Sequence, residues 1–413
     1  MKRMIFFFIF TMLTCSAIFS QQWKVYPSGA DNINSIDFAD SNTGWFAGDG
    51  LKLYFWDHDN SRWLQSGLDG TGWLHYQAVK VFDANTIYAI GGQGFFKTTN
   101  GGRHHEDWIK YWFNDDVYGM YFMDKDTGLV VGNLGTILRT TDAGATWTKL
   151  PVINANAYYS AIQITASGFG IATYGHDMEI QTTDFGRTWT TITNIPIHSN
   201  YISNSITISK QNIIIVGASI DGYVVLTSHN KGQSWTAVSL PSTTWNELFD
   251  VWLSDSTAIT VGENGVIYKS TDAGDTWTKQ TSPTTNTLRS IVVLPSGHCW
   301  IAGAGGFTAQ CIDMLVGIES NINDPPNSLS LAQNYPNPFN PITTISYALP
   351  QESHVQLVIY NQLGQQLATL VSASQSAGTY SVQWSPADLP SGIYFYRLQV
   401  NKSTIIKKMM DLK

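Results

Sequence analysis

The hydrophobic pattern of the chain repeats with a period of about 40 residues. Within each unit, short apolar or alternating runs such as Val117–Phe122 and Thr127–Gly132 are separated by glycine-rich turns, a pattern typical of antiparallel strands. Each of these units then ends in a polar turn that closes on a tryptophan. The closing tryptophans lie 39 to 46 residues apart, at positions 63, 108, 147, 189, 235 and 277. A period in this range predicts four-stranded propeller blades.

The number of blades follows from the first strand of each unit. Seven segments have the pattern of an inner strand: Ile33–Phe38, Tyr76–Val81, Val117–Phe122, Ala161–Ile164, Ser205–Ile208, Leu248–Leu253 and Leu288–Val293. The seventh unit stops after its third strand, near Ile312. The segment Trp23–Pro27 has the composition of the missing fourth strand, and pairing the two ends would hide both open sheet edges. The sequence therefore predicts an all-β fold, with a seven-bladed β-propeller over residues 21–318 that is closed by its N-terminal strand.

An octet of nearly fixed sequence forms the turn before most of the closing tryptophans. Its intact copies are Thr140–Trp147, Thr182–Trp189 and Ser270–Trp277, a softened copy is Ser228–Trp235, and worn copies end at Trp63 and Trp108. We expect the Asp or Asn side chain to accept backbone N–H bonds, glycine to adopt a positive φ, and tryptophan to bury its ring in the blade behind it.

The octets resemble the Asp-box of BNR-repeat propellers, known from sialidases and from photosystem II assembly factor-like propellers. The resemblance to the assembly factor-like family extends over the whole propeller. It implies a structural role, remote from any active site, for the octet residues Asn100, Asp142, Asp184, Asn230, Asp272, Trp108, Trp147, Trp189, Trp235 and Trp277.

Composition and charge narrow the classes of function. The chain has 413 residues, of which 43% are hydrophobic, 13% aromatic and only 13% charged, which favours one large all-β domain with a small second one. The net charge of −8 gives no reason to expect a nucleic-acid partner. After the N-terminus, no apolar run reaches the roughly 18 residues that a membrane-spanning helix requires.

Residues 1–20 have the pattern of a secretory signal peptide. Lys2 and Arg3 precede a short apolar segment from Ile5 to Leu13, and small residues follow before Gln21. Cys15 raises a lipoprotein alternative, although the residues before it depart from the usual lipobox. The pattern predicts that the mature protein is exported.

The end of the chain differs in character from the repeats. Residues 319–328 have linker composition, and residues 329–413 contain short alternating strands separated by turn signals, as in a small Ig-like β-sandwich. An ordinary Ig-like adhesion module would show the same strand pattern.

Specific motifs favour another interpretation of this segment. They occur in the order Tyr335–Pro338, Val358–Asn361, Leu363-Gly364, Gly378–Tyr380, Trp384, Gly392–Tyr394 and Lys407-Lys408. Together they resemble a type IX secretion system type A C-terminal sorting domain. The resemblance implies that the type IX machinery of a Bacteroidetes-like bacterium is the partner of residues 329–413. It also implies a location outside the cell or on the outer-membrane surface.

Catalytic chemistry finds little support in the sequence. A sialidase needs three arginines around the substrate carboxylate, whereas Arg289 is the one arginine expected on an inner strand. A glycoside hydrolase needs two facing carboxylates, and the acids expected on the upper loops are scattered over several blades. The run His104–Asp107 lies in a turn, where adjacent residues rarely converge on one ion. We therefore expect no catalytic residue, no metal and no cofactor.

A ligand-binding face is better supported. The first exposed turn of each inner strand is expected to point one side chain at the channel mouth: Asn34, Gln77, Tyr118, Ser160, Asn204, Phe249 and Arg289. Aromatic residues in the loops nearby could stack on sugars or seat peptide side chains: Trp73, Trp112, Tyr159 and Trp245. The hypothesis is a propeller that binds an extracellular glycan, peptide or protein. A hydrolase that uses upper-face acids, and a structural surface protein whose aromatic residues pack between blades, stay open as alternatives.

Two cysteines remain after the signal segment, Cys299 and Cys311, on strands joined by a glycine-rich turn. In an oxidising compartment they could form a cross-strand disulfide. A two-residue turn at Gly305-Gly306 would set them one residue out of opposition, so two buried free thiols are the other expectation.

Overall fold

The computed structural model describes residues 23–66, 75–174, 179–196, 201–219, 222–240, 246–294, 296–311, 330–331, 334, 343–376, 378–386, 389–401 and 403–411. The predicted signal segment, the predicted linker, Trp73 and Trp245 lie outside these residues. The chain divides into two compact units, Met1–Gly317 and Ile318–Lys413.

The first unit consists of seven four-stranded antiparallel sheets, the blades of a propeller. Its first strand is β1 (Trp23–Val25), which belongs to the last blade. Blade 1 contains Ile33–Phe38 (β2), Gly44–Gly48 (β3), Lys52–Asp57 (β4) and Arg62–Gln65 (β5). Blade 2 contains Tyr76–Val81 (β6), Ile87–Gly91 (β7), Gly94–Thr98 (β8) and Ile109–Trp112 (β9). Blade 3 contains Val117–Phe122 (β10), Gly128–Gly132 (β11), Ile137–Thr140 (β12) and Thr148–Lys149 (β13).

The remaining blades follow the same order. Blade 4 contains Tyr159–Ile164 (β14), Gly170–Tyr174 (β15), Ile180–Thr182 (β16) and Thr190–Thr191 (β17). Blade 5 contains Tyr201–Ser209 (β18), Asn212–Ser219 (β19), Gly222–Ser228 (β20) and Thr236–Val238 (β21). Blade 6 contains Leu248–Ser254 (β22), Thr257–Gly262 (β23), Ile267–Ser270 (β24) and Thr278–Lys279 (β25). Blade 7 contains Leu288–Val293 (β26), Cys299–Gly303 (β27) and Thr308–Cys311 (β28), to which β1 is added. The 3-10 turns are Asp49–Leu51, His105–Asp107, Glu263–Gly265 and Ala304–Gly306.

The first and last strands of the propeller are neighbours in one sheet. Strand β1 pairs antiparallel with β28, so that Trp23 lies opposite Cys311 and Val25 opposite Ala309. Tyr26 continues this strand, and its ring packs against Trp56 of blade 1 and Trp300 of blade 7, with ring centroids 4.9 and 5.3 Å apart. The ring of blades is therefore closed by main-chain hydrogen bonds and by an aromatic contact on each side of the joint.

The octet turns repeat one hydrogen-bonding scheme. In the copy Thr140–Trp147, Asp142 Oδ1 accepts the N–H of Thr146 (2.9 Å) and Oδ2 accepts the Thr146 hydroxyl (2.6 Å). The Trp147 Nε1–H donates to the Gly144 carbonyl at 3.1 Å. The same bonds recur in the copies that end at Trp189 and Trp277.

The octet glycine is required for two reasons. Gly144 has φ +77, and a Cβ atom there would lie 2.4 Å from Phe95 of the preceding blade. The residue before it, Ala143, also has a positive φ of 59°. Trp147 packs edge-on against the same Phe95, with ring centroids 5.1 Å apart. Each such turn thus ties its blade to the one before it.

The second unit contains two sheets. The smaller sheet consists of Ser330–Leu331 (β29), Thr343–Leu349 (β30) and Gly378–Trp384 (β33). The larger one consists of Ser353–Tyr360 (β31), Gln366–Gln375 (β32), Gly392–Val400 (β34) and Ser403–Asp411 (β35), in the order β32-β31-β34-β35. A buried cluster of residues from both sheets, including Tyr347, Leu357, Tyr396 and Leu398, forms its core.

The cysteine register differs from the expectation. Cys299 lies directly opposite Cys311, because the connection runs through the 3-10 turn Ala304–Gly306 and contains one residue more than a two-residue hairpin. Both side chains are buried, and neither is in a disulfide bond. The Cys311 thiol and burial together raise the pKa of the Cys299 thiol.

None of the described helices is long and apolar enough to cross a membrane.

Candidate functional site

Seven β-bulges build the candidate site. Each inner strand (β2, β6, β10, β14, β18, β22 and β26) shifts its register with its neighbour by one residue near its start. The residues left outside the ladder are Asn34, Gln77, Tyr118, Ser160, Asn204, Phe249 and Arg289. A bulge frees one side chain from the alternation of the strand and directs it away from the sheet. These are the seven residues predicted at the channel mouth.

The seven bulges meet around one cavity. Its volume is about 200 Å³, and all seven bulged residues line it. Amide, hydroxyl, phenol, phenyl and guanidinium groups therefore surround a single opening. Such a mixture of polar and aromatic groups is typical of a site that orients a ligand by hydrogen bonds and holds it by ring contacts.

The bulge also explains a row of glycines. In six blades a glycine of the second strand lies opposite the residue before the bulge, as at Gly48, Gly217 and Gly303. A Cβ atom on Gly217 would lie 1.8 Å from the carbonyl oxygen of Ile202. Blade 4 has Tyr174 in the equivalent position.

Three of the bulged residues also donate hydrogen bonds to main-chain carbonyls of the next blade. The Asn34 amide donates to the carbonyl of Tyr76 (2.9 Å), and the Asn204 amide donates to the carbonyl of Leu248 (2.9 Å). The Ser160 hydroxyl donates to the carbonyl of Ser203 at 2.6 Å. These side chains satisfy main-chain acceptors that the bulge has freed. Part of the polar ring is thus structural.

Arg289 is held at the mouth by a chain of hydrogen bonds. Asp49 accepts the Asn34 amide at 3.1 Å, and its Oδ1 lies 3.0 Å from Nδ1 of His75. Because the Asn34 Nδ2 donates to both Asp49 and Tyr76, its Oδ1 faces Arg289 and accepts an N–H from Nη1 at 3.1 Å. The guanidinium also lies 5.7 Å from the centre of the Phe249 ring. Its buried Nε has no hydrogen-bond partner among the described residues.

A carboxylate stands below the mouth at a place where the other blades have small side chains. The residue after each bulge is Ser35, Ala78, Gly119, Ala161, Ser205, Asp250 or Ser290. Asp250 accepts hydrogen bonds from Ser205 (2.8 Å), Ser290 (3.2 Å) and the main-chain N–H groups of residues 251 and 291. Burial raises the pKa of Asp250, and these hydrogen bonds oppose that rise. The sequence predicts Asp250 as one of the acids on the upper face, but not as one of the ligand-binding residues.

One aromatic residue lies elsewhere than expected. Tyr159 is 1% exposed and packs in the core between blades 3 and 4, so it offers no surface to a ligand. Its neighbour Tyr158 is 44% exposed, and its ring stacks on Tyr118 with centroids 4.2 Å apart. The strand alternation places adjacent residues on opposite faces. The exposed ring beside the mouth is therefore that of Tyr158.

Trp112 is exposed but does not line this cavity. It lies at the end of β9 and borders a separate pocket between blades 2 and 3. Trp73 and Trp245 fall outside the described residues, so their expected role stays a prediction.

The His104–Asp107 turn is organised by its own capping bonds, in which Asp107 Oδ2 accepts the His104 N–H at 2.8 Å. Among the described residues, no group of three or more His, Cys, Asp or Glu side chains could hold a metal ion.

Comparison with known proteins agrees with this architecture. Residues 153–308 match the family described as photosynthesis system II assembly factor YCF48, and residues 333–411 match the secretion system C-terminal sorting domain. The photosystem II assembly lipoprotein Ycf48 of Synechococcus sp. (strain CC9902) is 21% identical over 308 residues, which are 70% of this chain and 87% of that protein.

Two solved structures show the same fold as the propeller. YCF48 from Cyanidioschyzon merolae has a TM-score of 0.57 at 17% identity, and it aligns over 70% of this chain and 98% of its own. A structure of YCF48 bound to D1 peptide has a TM-score of 0.58 at 17% identity, with 70% and 96% of the two chains covered. The chain therefore joins a seven-bladed propeller with YCF48-like repeats to a C-terminal sorting domain of a secretion system.

Proposed function

We propose that this is an exported propeller protein whose channel mouth binds an extended peptide segment of another protein outside the cell. The sorting domain at residues 333–411 implies secretion. The observation that carries the binding proposal is the convergence of seven bulged side chains on one cavity.

The chemistry of the mouth suits a peptide. Main-chain amides of an extended segment need donors and acceptors, which Gln77 and Tyr118 can supply at the rim. Arg289 offers a charged fork whose buried Nε has no partner among the described residues, and Phe249 and Tyr158 offer ring surfaces for side chains. The solved YCF48 structure with a bound peptide supports the same class of ligand, since the two propellers share their fold.

Glycoside hydrolysis is less well supported. It requires two carboxylates on either side of the scissile bond. Asp250 is the one acid among the described residues that line the channel mouth, and four hydrogen bonds already hold it. This arrangement favours binding over acid–base catalysis.

The test is a peptide array probed with the purified full chain, followed by fluorescence polarisation on every hit. Arg289→Ala is expected to weaken binding about tenfold, because a central arginine contact contributes more than 1 kcal/mol. Arg289→Lys should recover only part of this loss, since lysine keeps the charge without the planar fork.

Trp112→Ala is the matched control, because Trp112 is exposed but lies outside the cavity, and it should bind peptides as the unaltered chain does. Thermal melts of all variants report whether the fold is intact. An array without hits, or equal affinities for the Arg289 variants and the unaltered chain, would overturn the proposal.

A further inference from the structure

A second pocket of the propeller lies apart from the channel mouth. It has a volume of about 360 Å³ and lies on the outer side, between the last strand of blade 2 and the outer strands of blade 3. Four aromatic residues line it: Tyr111, Trp112, Phe113 and Trp147. It shares no lining residue with the channel cavity. It is large enough for a small ligand, since such pockets begin at about 300 Å³.

Trp112 is both exposed and fixed in place. Its side chain is 61% exposed, the largest exposed ring among the described residues. The indole packs edge-on against Phe96 with ring centroids 5.7 Å apart, and it covers Gly94, the residue opposite it in β8. An exposed ring usually costs side-chain entropy when it binds a ligand, and this bracing removes part of that cost.

The strand that carries Trp112 is one of the two longest fourth strands in blades 1 to 6. Strands β5 and β9 have four residues each, whereas β21 has three and β13, β17 and β25 have two each. The additional length brings Tyr111 and Trp112 up beside the hairpin of blade 2. The following Phe113 donates its N–H to the Gln93 carbonyl at 2.6 Å and packs against Trp147 with ring centroids 5.4 Å apart. The aromatic run Tyr111–Phe113 therefore lies at the end of the last strand of blade 2 and contacts blade 3 through Phe113.

The polar part of the pocket carries no net charge. Asp115 accepts hydrogen bonds from Lys149 and from the Thr136 hydroxyl, each at 2.6 Å. Lys149 and Thr136 hold the pKa of Asp115 below its usual range, so the two charges compensate each other at neutral pH. Asn114 and Thr146 add an amide and a hydroxyl to the same rim.

From these features we infer that the pocket between blades 2 and 3 is a second ligand site, which binds a neutral saccharide. The pyranose ring presents an apolar C–H face, which fits the exposed face of the Trp112 indole. Its hydroxyl groups can donate hydrogen bonds to the Asp115 carboxylate and accept hydrogen bonds from the Lys149 ammonium and the Asn114 amide. A charged glycan would disturb the compensated pair, whereas a neutral one would not.

The test is affinity gel electrophoresis of the full chain through gels that contain single neutral polysaccharides: a xyloglucan, a mannan, a β-glucan or an α-glucan. At least one of these should retard the protein, and polygalacturonate, as the charged counterpart, should not. Trp112→Ala is expected to raise the dissociation constant about tenfold, and Trp112→Tyr should retain part of the binding.

Ile109→Ala is the matched control, because Ile109 is 48% exposed on the same strand but does not line the pocket. Arg289→Ala should leave retardation unchanged, which separates this site from the peptide site at the channel mouth. Failure of all four neutral polysaccharides to retard the protein, or equal retardation of Trp112→Ala and the unaltered chain, would overturn the inference. A propeller that binds peptides in the array would keep its proposed function in either case.

Discussion

At the residue scale, one carboxylate organises each intact octet turn. Asp142 accepts three hydrogen bonds, from the N–H and hydroxyl of Thr146 and from the Thr140 hydroxyl. The hydrogen bonds from Thr146, with that from Thr140, lower the pKa of Asp142 to about 2, and those from Thr188 do the same for Asp184. Charged carboxylates thus stabilise the turns, and protonation removes that contribution.

A prediction follows for the acid range. Because these pKa values are lowered from 3.8 to about 2, the contribution is complete above pH 4 and is lost as the pH falls towards 2. The double variant Asp142→Asn, Asp184→Asn should show a flatter dependence of melting temperature on pH between 4 and 2. Its fold should persist at pH 7, because Asn230 forms equivalent bonds to Ser234 in the softened octet.

Melting curves at several pH values measure this effect. Asp59→Asn changes the charge by one unit in a worn turn and serves as the control. An unchanged slope in the double variant would show that other groups govern the acid sensitivity.

At the element scale, β1 decides whether the propeller is a closed ring. Its main-chain bonds to β28 are continued by Tyr26, whose N–H donates to the Thr308 carbonyl at 2.9 Å. The Tyr26 ring is 9% exposed and lies between Trp56 and Trp300. A short strand with two exposed residues depends on such an anchor, because three pairs of residues alone supply few contacts.

Removing the anchor should therefore destabilise the whole propeller. We expect Tyr26→Ala to lower the free energy of unfolding by about 3–5 kcal/mol, the usual cost of removing a buried aromatic side chain. Tyr26→Phe keeps the ring and should stay within about 1 kcal/mol of the unaltered chain. Urea denaturation followed by tryptophan fluorescence measures both. Equal stabilities of the two variants would mean that the ring is closed by other contacts.

The same elements show how far the sequence could be interpreted. The period of the closing tryptophans and the count of inner strands predicted the blades, because both depend on local patterns. The position of Tyr159 and the opposition of Cys299 and Cys311 were missed. The position of Tyr159 depends on a bulge, and the cysteine register depends on a turn that is one residue longer. In a strand, one additional residue moves a side chain to the opposite face of the sheet. Trp112 was predicted near the channel mouth, but it borders a separate pocket, which requires contacts between two blades that no single repeat encodes.

At the scale of the whole molecule, the chain consists of two compact units with different features. The propeller presents the channel mouth, and the second unit matches a secretion system sorting domain at residues 333–411. Its core is formed by its own two sheets, which include Tyr347, Leu357 and Leu398. The sorting domain thus has the packing of an independent β-sandwich.

Deleting residues 329–413 is expected to abolish export in a bacterium with a type IX secretion system, because the sorting domain is the part that matches a secretion signal. Immunoblots of medium, cell surface and periplasm should find the truncated chain in the periplasm alone. In the converse experiment, the same residues fused behind a periplasmic fluorescent protein should carry it out of the cell. Normal amounts of the truncated chain at the surface would contradict this prediction.

The pairing of β1 with β28 in blade 7 also has a consequence for the order in which the propeller folds. Tyr26 and Thr308 are hydrogen-bonded although they are 282 residues apart along the chain. During synthesis, β1 emerges first and has no partner until almost the entire propeller has followed. Contacts between such distant segments form slowly, because their loop-closure entropy must be overcome first. The ring can therefore become complete only as the last event of its folding, and until then both open edges are exposed to proteases and to other chains.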